Sequence, residues 1–286
     1  MVTTPITRQG RLFIVSTPIG NLEDITLRAL KTLKEVDLIA AEDTRKTKKL
    51  LNHYQIRTPL TSYFDHNEFK KGKFLITKIT NGNDIALVTD AGTPGISDPG
   101  YHLIQLALKN SIDFVPVPGV SAAITALSVS GLPTDRFTFE GFLPSSQKKR
   151  RIALEKNKYQ KRTIIYYESP RRLLTTLEDL LEIFGDRLVT IARELTKLYE
   201  EVLNGTISEI FNKFKNQGLI KGELTIIIGG YKGISEDKDV SIQEEIKLYQ
   251  KTSSLPLKDI VRIISEEKGI PKRDIYQESL KLREQS

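Results

Sequence analysis

Six short loops hold the residues that could do chemistry in this sequence. In LVTDAGTPGISDPG, Leu87 to Gly100, an apolar run leads into Asp90, a second aspartate and a stretch rich in glycine and proline. That stretch can be neither helix nor ladder, because proline lacks the donor and glycine dissolves the preference. A strand ending this way either delivers backbone to a ligand or merely turns. In AEDTR, Glu42 and Asp43 precede Arg45, a set that suits a substrate clamp or a local ion pair on a helix start. PGVSAA sets Ser121 and Ala122 at a helix start, where free N–H groups receive a ligand carboxylate or small residues allow close packing. YESPRR brings Arg171 and Arg172 toward phosphates, or turns the chain before a helix. ARELTK combines Arg193, Glu194 and Lys197, with an Arg193–Glu194 salt bridge as its plainer reading. TPIGN is either a ligand loop or a turn with helix caps at Asn21 and Asp24.

What is missing narrows the chemistry. The chain has no cysteine, which removes thiolate catalysis, disulfides and cysteine zinc sites, and three histidines, His53, His66 and His102, are too few for a histidine metal cluster. No metal site is expected. There is no G-x-x-x-x-G-K-[ST], no G-x-G-x-x-G after a strand, no G-x-S-x-G and no H-E-x-x-H. The usual motifs of nucleotide hydrolysis, nicotinamide chemistry and hydrolase triads are therefore absent.

The elements that must position these loops alternate. RLFIVS reads as a strand, and Ile25, Ala29, Leu33 and Val36 mark a helix behind it with Asp24 as its cap; DLIAAED, PLTSYF, DIALVTD and DFVPVPG come next as strands separated by helices. Such alternation predicts an α/β fold with a mostly parallel sheet covered by helices, and in open sheets of that kind ligands bind at the carboxyl ends of the strands. Residues 1–118 form an N-terminal α/β domain in this reading, and 119–232 a second α/β domain of less regular grammar. Residues 233–286 hold a charged linker and two amphipathic helices, Leu257 to Lys268 and Lys272 to Arg283, with the outline of a helix-turn-helix. No apolar run reaches the roughly 20 residues of a membrane span, and Met1 to Gln9 lacks the apolar core of a secretion signal, so a cytoplasmic protein is expected.

The net charge is +7, and the basic residues clump at TRKTKK, Thr44 to Lys49, and QKKRR, Gln147 to Arg151. Clumped Lys and Arg neutralise phosphates and release counterions, the electrostatic footprint of an RNA or DNA partner, although each run alone reads equally as a solvated helix face.

Seven blocks occur in a fixed order: TPIGNLEDITLRAL, AEDTR, TDAGTPGISDPG, VPGVSAAITAL, FEGFLP, YESPRR and ARELTK. Together they resemble the signature blocks of the ribosomal RNA small-subunit methyltransferase branch of the tetrapyrrole methylase superfamily, over about Leu12 to Gly230. The resemblance implies two α/β domains with S-adenosylmethionine in the cleft between them, a homodimer, and methyl transfer to the ribose 2′-hydroxyl of a decoding-centre cytidine in 16S rRNA. Carried over block by block, cofactor contacts fall on Pro18 and Ile19, on Asp90, Gly92, Gly95 and Ser97, on Ser121 and Ala122, on Tyr167, and near Glu223 and Leu224. Glu42, Asp43, Arg45, Arg171, Arg172 and Arg193 are the substrate-side candidates.

Methyl transfer from a sulfonium is an in-line displacement, so the protein mainly aligns donor and acceptor, worth roughly 7–11 kcal/mol in favourable cases. A positioned base adds about 10²–10⁴-fold. Glu168, Glu194, Lys197 and Asp43 are candidates, with Glu194 and Lys197 preferred because a strand end sets them near the cleft and a desolvated lysine has a depressed pKa. Two other readings compete. A small-molecule tetrapyrrole methyltransferase would need neither the basic excess nor the C-terminal helices, and a non-enzymatic RNA-binding protein would leave the strand-end loops unused.

Overall fold

The computed structural model describes residues 8–216, 218–232, 242–252, 256–268 and 270–284. One compact unit runs to Tyr231 and a second holds the C-terminal helices. In the first unit the opening half alternates: β1 (Leu12–Val15), α1 (Leu27–Glu35), β2 (Leu38–Ala41), α2 (Thr44–His53), β3 (Leu60–Ser62), α3 (Glu68–Thr80), β4 (Ile85–Val88), α4 (Tyr101–Lys109) and β5 (Phe114–Val117). All four strand pairings are parallel, in the order β3-β2-β4-β1-β5, with Leu12 opposite both Ile85 and Phe114. Burial on both faces explains the continuous apolar runs of the central strands. Phe13, Val15, Ile39 and Ala86 pack on the α1 side with Leu33, while Leu12, Ala40, Ile85 and Leu87 pack on the α3–α4 side with Leu75 and Leu103.

The cap of helix α1 lies two residues beyond the expected one. The Thr26 side chain accepts from Ala29 N and caps α1, whereas Asp24 ends a short 3₁₀ turn, Leu22–Asp24, whose own cap is Asn21. A three-residue turn thus separates the loop from the helix, and the nearer hydroxyl takes the capping role.

The chain then crosses residues 118–121 into α5 (Ala122–Ser128), β6 (Phe137–Phe142), α6 (Gln147–Asn157), β7 (Thr163–Glu168), α7 (Leu173–Phe184), β8 (Leu188–Arg193), β9 (Glu201–Thr206), α8 (Ile207–Lys215) and β10 (Leu224–Ile228). This sheet, ordered β6-β7-β10-β8-β9, departs from the expected parallel grammar: only β6–β7 is parallel, and the other three pairings are antiparallel. The cause is β9, which pattern reading misses because an edge strand, Glu201–Thr206, exposes polar residues and buries only Leu203. It turns back beside β8, and β10 then enters between β7 and β8, antiparallel to both. Leu224 at the start of β10 consequently lies opposite Glu168 and Arg193 at the ends of β7 and β8, bringing three loops to one edge. Beneath that edge Ile19, Ala123, Leu127, Ile165, Ala192, Leu195 and Ile227 form an apolar cluster shared by both halves.

The C-terminal unit contains α9 (Ile242–Thr252), α10 (Leu257–Lys268) and α11 (Lys272–Glu284) around Ile246, Ile260, Ile264 and Ile275. It is a three-helix cluster, one helix more than the sequence pattern suggested. Of the expected charged linker, Tyr231 to Val240, all but residues 231 and 232 lies outside the described residues, as does Gly269 of the expected turn. No helix among the described residues is long and apolar enough to cross a membrane.

Candidate active site

The loops at the carboxyl ends of β1, β2 and β4 meet those at the ends of β7 and β8 and the start of β10. They enclose a cavity of about 450 Å³, within the usual range for a ligand site. Ile19, Asp90, Gly92, Ser97, Ser121, Ala122, Tyr167, Glu223 and Leu224 of the expected cofactor contacts line it, as does Glu42 from the substrate set. Pro18 and Gly95 do not line it, although both sit in loops that do.

Backbone geometry fixes the central loop. Thr17 N donates to Gly92 O at 2.9 Å and Gly92 N returns the bond to Thr17 O at 3.0 Å, joining the β1 and β4 loops by an isolated bridge. Gly92 has φ +83°, and even Ser97 is held at φ +61°, a region costly for residues with a Cβ. Across the cleft Gly222, at φ +96°, leaves no room for a side chain, since a Cβ there would lie 2.4 Å from Glu194 Cγ.

Carboxylates make up most of the charged groups of the wall. Glu42 accepts from Thr89 Oγ1 at 2.6 Å and from Asp90 N at 3.2 Å. Asp90 accepts from Asp43 N at 3.0 Å and pairs with Lys46 at 2.7 Å, and that bond foremost raises the Lys46 pKa. Asp98, from the same loop as Asp90, is pushed up to about 7, first by burial and then by the negative charge of Glu42. Among the lining residues Glu42, Asp90, Asp98, Glu168 and Glu223 are acidic and Lys46 is the one cation. A protein of net charge +7 thus carries an acidic cavity.

Tyr167 supplies the aromatic wall, with Phe139 and Phe142 at centroid distances of 5.0 and 5.4 Å. Its hydroxyl accepts from Ala123 N at 3.2 Å, and burial raises its pKa.

The remaining candidates fall into place differently. Glu168 is saturated: it pairs with Arg172 at 2.5 Å and accepts from Ser169 N at 2.6 Å and Thr176 Oγ1 at 2.7 Å. The same contacts occupy Arg172, which also donates to Leu143 O at 3.0 Å, while Arg171 is exposed. Arg45 pairs with Asp43 through two bonds of 3.0 and 2.7 Å, and the hydrogen bond foremost holds the Asp43 carboxyl well below the usual range. Arg193 pairs with Glu201 on β9 at 2.8 Å, not with Glu194. Glu194 instead accepts from Lys197 at 2.8 Å and from Glu223 N at 2.9 Å.

That arrangement reverses the expectation of a depressed lysine. Burial does work to lower the Lys197 pKa, but bonds to Glu194 and, at 3.0 Å, Glu223 outweigh it and raise the value. Burial likewise works to raise Glu194, and Lys197 with the Glu223 N–H outweighs it, so the carboxyl sits low. The pair is a fixed ion pair beside Glu223, outside the cavity lining. Sequence reasoning did not single out Lys46, Phe142 or Asp98 as site residues. Asp98 stands in the loop whose composition most clearly signals a site.

The cavity fits S-adenosylmethionine chemically. Its carboxylates suit a ligand bearing sulfonium and ammonium charges, and Ile19, Ala192, Leu195 and the Tyr167 ring give apolar surface for a purine.

Comparison with known proteins agrees in fold and family. Residues 11–210 match the family of tetrapyrrole (corrin/porphyrin) methylases. A Halalkalibacterium halodurans protein, "Ribosomal RNA small subunit methyltransferase I", is 50% identical over 272 residues, covering 94% of each chain. The Escherichia coli O157:H7 protein of the same name is 47% identical, covering 95% of each. The Thermotoga maritima one is 51% identical, covering 77% of this chain and 99% of its own. Among solved structures, the cobalt precorrin-4 methyltransferase CbiF superposes with a TM-score of 0.58 at 18% identity, covering 79% of this chain and 98% of that one. A likeness at that identity speaks for the fold alone.

Proposed function

We infer, for a chain that belongs to the tetrapyrrole methylase family and to its ribosomal RNA small subunit methyltransferase I group, that it methylates 16S rRNA with S-adenosylmethionine as donor. The acceptor in this reading is the ribose 2′-hydroxyl of a decoding-centre cytidine, presented by the small ribosomal subunit to a cytoplasmic homodimer. The observation that carries the reading is the segregation of charge: an acidic cavity for a cationic cofactor inside a basic protein for a polyanionic substrate.

When bound, S-adenosylmethionine supplies an electrophilic methyl group. The chain's residues do the rest. Ile19, Leu195 and Tyr167 would give the cofactor apolar surface, the backbone at Gly92 and Ala122 would hold it from the lining, and Glu42 and Asp90 would meet its positive charge. Holding the reactants in one orientation is the main contribution. As the ribose hydroxyl attacks, its proton must leave. Asp98 is the proton acceptor in this reading, since it lines the cavity and its pKa lies near neutrality, where a base is both unprotonated and strong enough to act. Glu168 and Glu194 have their oxygens engaged, and Lys197 stays protonated.

The test uses labelled S-adenosylmethionine and small subunits lacking the modification, with alkaline hydrolysis of the RNA afterwards. Alkali cleaves through a free 2′-hydroxyl, so label in a resistant dinucleotide is expected. Label in mononucleotides would move the acceptor to a base. No label in RNA would overturn the reading in favour of a small-molecule acceptor.

A further inference from the structure

The two basic runs of the sequence are each half paired and differ in what surrounds their remaining cations. In 147–151, Arg150 is buried and pairs with Asp179 at 2.7 Å, and Arg151 pairs with Asp179 at 3.0 Å and with Glu182. In the run on α2, Arg45 and Lys46 are likewise paired, with Asp43 and Asp90, and what sets this run apart is the surface beside it. Beside α2 and the edge strand β3 lies an open groove of about 780 Å³, lined by Arg45, Lys48 and Arg57 and by the polar groups of Asn52, Thr61 and Ser62. Among the described residues no carboxylate lines it. Lys48 and Arg57 are exposed, and among the described residues neither has a carboxylate within ion-pair distance.

The groove and the site already described share helix α2. The first turn of α2 sends Lys46 into the cavity wall, where it pairs with Asp90, while Arg45 and Lys48 of the same helix face the groove. Cations free of internal partners, interleaved with hydroxyl and amide donors, match a sugar-phosphate backbone.

We propose that one strand of the RNA substrate runs along the α2–β3 groove, with consecutive phosphates on Lys48 and Arg57, and reaches the cavity mouth past Arg45. This rests on the RNA methyltransferase reading and adds to it the face of the protein by which the substrate enters. Arg45 keeps its Asp43 partner and therefore positions the helix start, leaving Lys48 and Arg57 as the cations that exchange counterions for phosphates.

The experiment compares the full chain with the pair Lys48→Ala/Arg57→Ala and with a control pair, Lys148→Ala/Lys149→Ala, on α6. The KM for small subunits is measured from about 50 to 200 mM salt, and S-adenosylmethionine affinity is measured by calorimetry as a check on the fold. In the groove pair, KM should rise several-fold and the slope of its logarithm against the logarithm of salt should shrink by about 1.4, roughly 0.7 for each lost phosphate contact. Cofactor affinity and kcat should stay at the full chain's values, and the control pair should keep its slope. An unchanged slope in the groove pair, or an equal change in the control pair, overturns the proposal while the RNA reading stands. A full chain that labels no RNA overturns the RNA reading itself, and this proposal with it.

Discussion

Replacing Asp98 with asparagine keeps the shape of the side chain and removes its ability to take a proton. The native carboxyl lies at about 7 because of its burial and the charge of Glu42. For a single group titrating there, the ionised fraction climbs from about 0.09 at pH 6 to about 0.91 at pH 8, so the rate of a reaction needing the carboxylate rises roughly tenfold over that interval. The profile of kcat/KM for the cofactor is the informative one, because it reports groups of the free enzyme. Asp98→Asn should lower kcat by about 10²–10⁴-fold and abolish the inflection. Stability should move the other way. A carboxyl whose folded pKa is raised binds its proton more tightly in the folded state, so the wild type loses stability as pH rises from about 4 to 7. The asparagine variant escapes that loss and should melt higher than wild type at pH 8, with the difference vanishing near pH 4. A variant with wild-type kcat, or one that retains the inflection, would sink the proton-acceptor role. Weaker cofactor binding at an unchanged kcat would instead make Asp98 a charge partner of the ligand.

Other perturbations act through single contacts. Asp179→Ala strands the buried Arg150 and should cost about 3–5 kcal/mol of unfolding free energy, read from urea titrations. Gly222→Ala forces a Cβ against Glu194 at positive φ; a loss of about 1–3 kcal/mol in stability and weaker cofactor binding by calorimetry are expected. A chain ending after Tyr231 should fold and bind S-adenosylmethionine with the full chain's affinity, because the first compact unit ends there and the Thermotoga maritima relative matches over 99% of its own length while covering 77% of this chain. Precipitation of that shorter chain, or a melting midpoint far below the full chain's, would contradict it.

The parallel half of the fold is legible because buried strands and amphipathic helices differ in period, and α3 and α4 fall where the pattern sets them. The second half is less so. Edge strand β9 carries no alternating apolar signal, and without it the antiparallel return of β10 is invisible. That return brings Gly222 to Thr225 to the cavity, through register against Glu168 and Arg193. Loops were easier to find than partners. The pairing of Arg193 with Glu201 rather than Glu194, and the saturation of Glu168 by Arg172, Ser169 and Thr176, depend on side-chain directions that spacing does not fix. The same limit produced the wrong sign for Lys197, since burial is readable from a strand end and the two carboxylates beside it are not.

The placement of charge also bears on how a large polyanion could present one sugar to so small a cavity. In the proposed reading the carboxylates of Glu42 and Asp98 in the cavity lining would repel phosphates, whereas Lys48 and Arg57 in the groove lining would attract them. Like charges brought together cost several kcal/mol at an interface, so a strand cannot bind with its backbone across the cavity. On the proposed path its phosphates would remain in the groove, and the nucleotide leaving the groove would enter sugar first. Lys46 sits at the junction of the two fields, held by Asp90 at 2.7 Å. Selection of the ribose edge would then follow from repulsion at the cavity as much as from attraction at the groove, and neutralising Glu42 should relax it even where cofactor binding survives.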